Sequence, residues 1–131
     1  VDVFSDSMVL YQSLMDGPSE KPLFNKALDL YQELLRDGTN KVLSHNDLHP
    51  GNLLWNQKYY FLDWEYAGMN HPCFDIASIV KSLQLNHSQI NEMSLGYKFS
   101  NKLFYRDKIY QWIEFIDYLD EIWKISVAKI S

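Results

Sequence analysis

Leu43-Ser44-His45-Asn46-Asp47-Leu48-His49-Pro50-Gly51-Asn52, followed by Phe61-Leu62-Asp63-Trp64-Glu65, is the stretch on which the reading of this chain turns. Val42 and Leu43 suit a short strand, and the polar run from His45 to Asn52, with its Pro50-Gly51 pair, reads as a loop. Leu53 to Trp55 resumes an extended run, Asn56-Gln57 can turn, and Lys58 to Leu62 returns as a second strand. This hairpin brings Asp63 back beside the loop, eleven residues after Asn52. Asp47 and Asn52 are five residues apart, so one compact loop can aim a carboxylate at an acceptor hydroxyl and an amide oxygen at a metal. Phosphoryl transfer needs such a set: a carboxylate to take the hydroxyl proton, and oxygen ligands for the divalent ion that neutralises phosphate charge. Mg2+ is usually held by one or two carboxylates with phosphates and waters rather than by an all-protein cage.

Outward from this stretch the pattern is helical. Met8, Val9, Tyr11, Leu14 and Met15 predict a short helix over residues 6–15, stopped by Gly17-Pro18. Phe24, Ala27, Leu28, Tyr31, Leu34 and Leu35 recur at three- and four-residue spacing, which predicts a helix from Pro22 to Asp37 with Gly38 just past its end. A loop through Gly68 and Pro72 leads to a helix of about ten residues holding Asp75, Ile76, Ile79 and Val80. Ser88 is placed to cap a helix carrying Ile90, Met93, Leu95 and Tyr97. From Asp107 onward a long helix is expected. Its apolar stripe is Tyr105, Ile109, Trp112, Ile116, Leu119, Trp123, Val127 and Ile130. The expected fold is mostly α with a small β-hairpin, an α+β domain.

The pattern His45-x-Asp47-x-x-x-x-Asn52, then a hydrophobic strand and Asp63, resembles the C-terminal lobe of the protein-kinase-like fold. The fuller text, HNDLHPGN with LDWEYAGMNHPCFDIA, is similar to the choline/ethanolamine kinase and aminoglycoside phosphotransferase family, especially its bacterial choline-kinase-like members. The likeness covers Val42 to Lys81 and extends weakly to the C-terminus. It implies Asp47 as catalytic base, Asn52 and Asp63 as Mg2+ ligands, and His45 and Asp75 as supports of the catalytic loop. It also implies ATP as phosphoryl donor and an N-terminal nucleotide-binding lobe of the same protein. Trp123 falls at an aromatic position of the choline pocket, while Asp120 stands where a second Trp is expected. That departure favours a primary amine or another cation. Tyr66 and Glu65 are further candidates for the substrate pocket. A quaternary ammonium on aromatic faces gains ~0.5–2 kcal/mol for each. The acceptor implied is a small amine-containing alcohol such as choline or ethanolamine, with an aminoglycoside or thiamine as alternatives.

Each residue also has a plainer reading. Asp47 suits a turn carboxylate bonded to its own backbone, Asn52 a turn residue beside Gly51, and Asp63 a strand-end cap. Trp112, Tyr118 and Trp123 suit a core stripe, and Cys73 a small buried side chain. Two other functions compete with the kinase. In a metal-dependent hydrolase the alternating His45, Asp47 and His49 would bind Zn2+; in a non-catalytic binding module the lobe would keep only recognition. Pro50-Gly51 argues for a loop and against the zinc reading.

Composition narrows the classes. The 131 residues fit one domain, and with 47% hydrophobic residues they are too apolar for disorder. A net charge of −5 supplies no basic footprint for nucleic acid or an anionic membrane. No apolar run reaches the ~20 residues that span a bilayer. The single cysteine excludes an internal disulfide framework and suits a reducing, cytoplasmic setting. The chain begins at Val1 rather than Met, and nothing before Val42 resembles a Gly-rich phosphate-covering loop. Residues 1–131 are therefore expected to be the catalytic lobe of a longer protein, without substantial activity alone.

Overall fold

The computed structural model describes residues 3–96 and 106–131. Among the described residues five α-helices carry the architecture: α1 (Val3–Leu14), α2 (Glu20–Leu34), α3 (Pro72–Leu83), α4 (His87–Gly96) and α5 (Arg106–Ile130). Between α2 and α3 lie four short strands, β1 (Val42–Ser44), β2 (Leu53–Trp55), β3 (Tyr59–Phe61) and β4 (Gly68–Asn70). They pair as two antiparallel ribbons, β1 with β4 and β2 with β3. Strand β4 corrects the expectation of a plain loop from Gly68 to Pro72. Its three residues match β1 in the register Val42↔Asn70 to Ser44↔Gly68, a pairing too short to show in sequence periodicity.

The core lies where α5 crosses α2 and α3. Phe24, Ala27, Tyr31 and Leu34 of α2 are buried, as their spacing predicts. Opposite them, Ile109, Trp112, Phe115 and Ile122 of α5 are wholly buried. Trp112 sits among Tyr31, Phe74 and Phe115, with ring centroids at 6.1, 6.4 and 5.9 Å and steep interplanar angles. Such edge-to-face packing places positive ring edges on negative faces, worth ~0.5–1.5 kcal/mol per pair beyond area burial. Cys73 is fully buried as expected, and burial pushes its thiol up to about 12.

Helix ends follow local chemistry. α2 tightens into a 3-10 turn over Leu35–Asp37 and ends at Gly38, whose φ of 70° is left-handed. Glycine adopts this without the Cβ clash that penalises other residues. His71 caps α3 by accepting the Cys73 amide at 3.0 Å. α4 is capped by Asn86 rather than Ser88: Asn86 accepts the Gln89 amide and Gln89 returns the bond to Asn86, both at 2.9 Å. This is a reciprocal capping box, which ties down two otherwise unpaired donors. The first helix starts at Val3 rather than residue 6, since nothing in Val3-Phe4-Ser5 stops it.

The α5 stripe holds for Ile109, Trp112 and Ile116 but not for its final turns. Trp123 is 52% exposed, and Val127 and Ile130 are exposed too, while Ile122 and Ser126 are buried in their place. The buried face runs instead through Phe115, Ile122 and Ser126, and Trp123 lies beside it on the wall of a cavity. Tyr97 and Tyr105 lie outside the described residues. Near the end of α5, Lys129 bonds the Leu14 carbonyl and pairs with Asp16 and Glu20, holding α1, α2 and α5 together.

Candidate active site

The loop after β1 is held from below by α3. Asp75 accepts the His45 amide at 2.7 Å and the Asn46 amide at 2.9 Å, one on each carboxylate oxygen. Asn46 has φ 67°, a left-handed turn that Asn tolerates better than most residues. His45 is buried and both ring nitrogens are engaged. Its Nδ1 accepts the Asp47 amide at 3.1 Å, so the proton sits on Nε2, which donates to the Leu62 carbonyl at 2.7 Å. The ring also packs on Trp64 at 4.7 Å. His45 thus joins the loop to the strand that leads to Asp63.

Asn52 closes the loop. Its amide nitrogen donates to the Asp47 carbonyl (2.8 Å) and contacts Asp47 Oδ2 (3.2 Å) and His49 Nε2 (3.1 Å). These commitments leave Oδ1 as the side-chain atom of Asn52 with no partner among the described residues. The β2–β3 register, Leu53↔Phe61, continues with Leu62 donating to the Asn52 carbonyl at 2.8 Å. Asp63 therefore emerges one residue past the partner of Asn52. Its φ of 57° turns the chain sharply, and its carboxylate makes no hydrogen bond or ion pair among the described residues. A left-handed non-glycine residue costs ~1–3 kcal/mol and persists where its surroundings over-determine it.

Asp47, Glu65, Tyr66 and Trp123 line one cavity of about 470 Å³, together with Tyr11 from α1 and Asp120 from α5. Four residues singled out in sequence thus share a wall, whereas His45, Asn52, Asp63 and Asp75 stand outside it and build the loop and the strand end. Tyr11 was not legible as a site residue, because it belongs to an apolar helix pattern far upstream of the motif. The field in the cavity is negative. Glu65, then burial, then Asp47 and Asp63 push the Tyr66 hydroxyl above its ordinary value. Burial raises Tyr11, with Tyr66 adding to it. Asp120 does not present a lone charge: Lys81 reaches it at 2.5 Å and Asp117 at 2.7 Å. Burial alone would lower Lys81, but those bonds outweigh it and raise it.

As a donor set, Asn52 and Asp63 would fit Mg2+ better than Zn2+. An amide oxygen and a carboxylate at neighbouring strand ends suit a hard cation that retains phosphates and waters. The zinc arrangement is not formed: His45 spends both nitrogens inside the loop, and His49 Nδ1 accepts the Gly51 amide at 3.1 Å. Among the described residues no three His, Cys, Asp or Glu side chains cluster to hold a metal.

Residues 11–107 match the model of the phosphotransferase enzyme family. The chain belongs to that family. The chain is similar to the LicA homolog of Metamycoplasma hominis, 31% identical over 92% of this chain and 53% of that protein. It is also 51% identical to protein LicA of Haemophilus influenzae over 32% of this chain and 16% of that protein. The fold is that of choline kinase LicA from Streptococcus pneumoniae, with a TM-score of 0.77 at 21% identity over 96% of this chain and 47% of that structure. The chain spans about half the length of these relatives or less. The resemblance read from HNDLHPGN is borne out at the level of family and fold. Among the described residues no helix is long and apolar enough to cross a membrane.

Proposed function

We propose that this chain is the C-terminal catalytic lobe of a small-molecule kinase that transfers the γ-phosphoryl of ATP to the hydroxyl of a small cationic alcohol of the choline or ethanolamine kind. The observation that carries the reading is the single cavity shared by Asp47, Glu65, Tyr66, Asp120 and Trp123. A carboxylate at hydrogen-bonding reach of an alcohol takes its proton as the oxygen attacks. Negative charge and aromatic faces suit an ammonium group at the other end of that alcohol. Asn52 and Asp63 would hold Mg2+, which supplies charge neutralisation at the phosphates. Asn52 also restrains Asp47 through the bonds described, and Asp75 and His45 hold the loop.

A nucleotide-binding lobe of the same protein completes the proposal. The hairpin supports it: Trp55 and Tyr59 are 63% and 65% exposed, and Leu54, Tyr60, Phe61 and Leu62 are exposed beside them. By register Trp55, Tyr59 and Phe61 share one face of the hairpin and Leu54 and Tyr60 the other, and exposed apolar side chains in such number support a contact with another body.

The test is turnover by the full-length protein against a panel of amino alcohols. Asp47→Ala is expected to lower kcat by ~10²–10⁴-fold. Near-normal turnover in that variant excludes Asp47 as the base.

A further inference from the structure

Two side-chain amides, that of Asn70 wholly buried and that of Asn46 half-buried, connect the segments that deliver Asp47 and Asp63, and neither belongs to the set read from sequence. Asn46, immediately before Asp47, donates from Nδ2 to the Tyr66 carbonyl at 3.0 Å. Its Oδ1 accepts from Asn70 Nδ2 at 2.9 Å. Asn70 is wholly buried, and its own Oδ1 accepts the His71 amide at 2.8 Å. The direction of each bond is therefore fixed. His71 N–H orients Asn70, Asn70 orients Asn46, and Asn46 holds the backbone of the Asp63–Tyr66 segment.

A hydrophobic side chain at position 70 would fill the same space in a core, so burial alone does not explain an amide there. An unpaired buried amide costs ~1–3 kcal/mol, and here each polar atom has a partner. The left-handed backbone of Asn46 places its side chain across the gap between the loop and the strand end, where no backbone pairing exists. The strand pairing of Asn52 with Leu62 fixes the near end of this segment, and Asn46 fixes the far end at Tyr66.

We propose that Asn46 and Asn70 are a positioning pair that sets the spacing between the Asp47 loop and the Asp63–Tyr66 segment. Neither is a catalytic residue; they act through Asp47, Asp63 and Tyr66. The inference rests on the roles proposed above for Asp47 and Asp63.

Three substitutions in the full-length protein test it. Asn70→Asp keeps the acceptor for His71 but sets an oxygen against Asn46 Oδ1; flipping the Asn46 amide would then face oxygen to the Tyr66 carbonyl. Asn46→Asp keeps the acceptor for Asn70 and loses the donor to Tyr66. Asn46→Gly preserves the left-handed turn and removes the amide. Hydrogen exchange without metal or nucleotide is expected to quicken over residues 62–67 in all three, and not over α2 or α5. Per folded molecule, kcat is expected to fall ~10–100-fold with the KM for the alcohol within about threefold, since misplacement near 1 Å costs up to about 10²-fold. Wild-type exchange over residues 62–67 overturns the positioning role whatever the activity. A lower thermal midpoint with kcat per folded molecule unchanged overturns it as well. Should Asp47→Ala retain turnover, the reading of the base fails, and the exchange measurement still decides the amide link.

Discussion

Replacing Asp75 by asparagine isolates the contact on which the loop geometry depends. Asp75 gives each of its oxygens to one backbone amide, those of His45 and Asn46. Asparagine retains one oxygen and presents an NH2 group to the other N–H. One charge-assisted bond is lost and a backbone donor is left unpaired, at a cost of about 1.5–3 kcal/mol. Alanine removes both bonds, which sets a ceiling of about 3–6 kcal/mol on the same basis, lowered because Asp75 is only half-buried and water can enter. Against a typical total of ~5–15 kcal/mol, the asparagine variant stays folded. The assay is urea unfolding combined with amide exchange. The urea midpoint is expected to fall, and the His45 or Asn46 amide to exchange roughly 10- to 150-fold faster, since 1.4 kcal/mol corresponds to tenfold. Trp64 packs on His45 and serves as an optical reporter of the same loop. Wild-type exchange at both amides, with an unchanged midpoint, would refute the claim that α3 holds this loop through Asp75.

Lys81→Met should release Asp117 and Asp120 and make the cavity more negative, moving kcat/KM of the full-length protein toward primary over quaternary ammonium alcohols by about 3- to 10-fold; an unchanged ratio removes Asp120 from the determinants of acceptor choice. Trp112→Ala, which empties the centre of the aromatic cluster, should cost about 3–5 kcal/mol in urea unfolding. Acid should weaken the fold in two stages. Burial holds His71 below its ordinary value despite its bond to Asp37, so below about pH 6.5 the unfolded chain takes up a proton that the folded chain refuses, and stability falls as pH falls. Burial alone would raise Asp37, but Lys108, the Thr39 amide and His71 outweigh it and hold the carboxyl low; its contribution is present above about pH 4 and lost as pH falls further. His71→Asn should flatten the first stage in pH-dependent thermal melts, and a slope identical to wild type would contradict that assignment.

Much of the fold is written in local pattern. The spacing of Phe24, Ala27, Tyr31 and Leu34 names the buried face of α2, because a helix returns to the same side every three or four residues. His45-x-Asp47-x-x-x-x-Asn52 and Asp63 identify the family without coordinates, since they sit on a loop and hairpin whose geometry is set within a few residues. Contacts between segments distant in sequence were not legible. The pairing of β1 with β4, the placement of Tyr11 from α1 beside Tyr66, and the pairing of Lys81 with Asp120 each join such segments, and no periodicity encodes them. Asn70 likewise reads as an ordinary turn residue until burial shows that its amide must be satisfied. The sequence by itself determined the family, the candidate site residues and most of the apolar helix faces, because those are local properties of spacing and polarity. The tertiary structure alone decided which of them share a cavity, which charges are already neutralised and which amides hold the loop, because burial and distance exist only once the helices have packed.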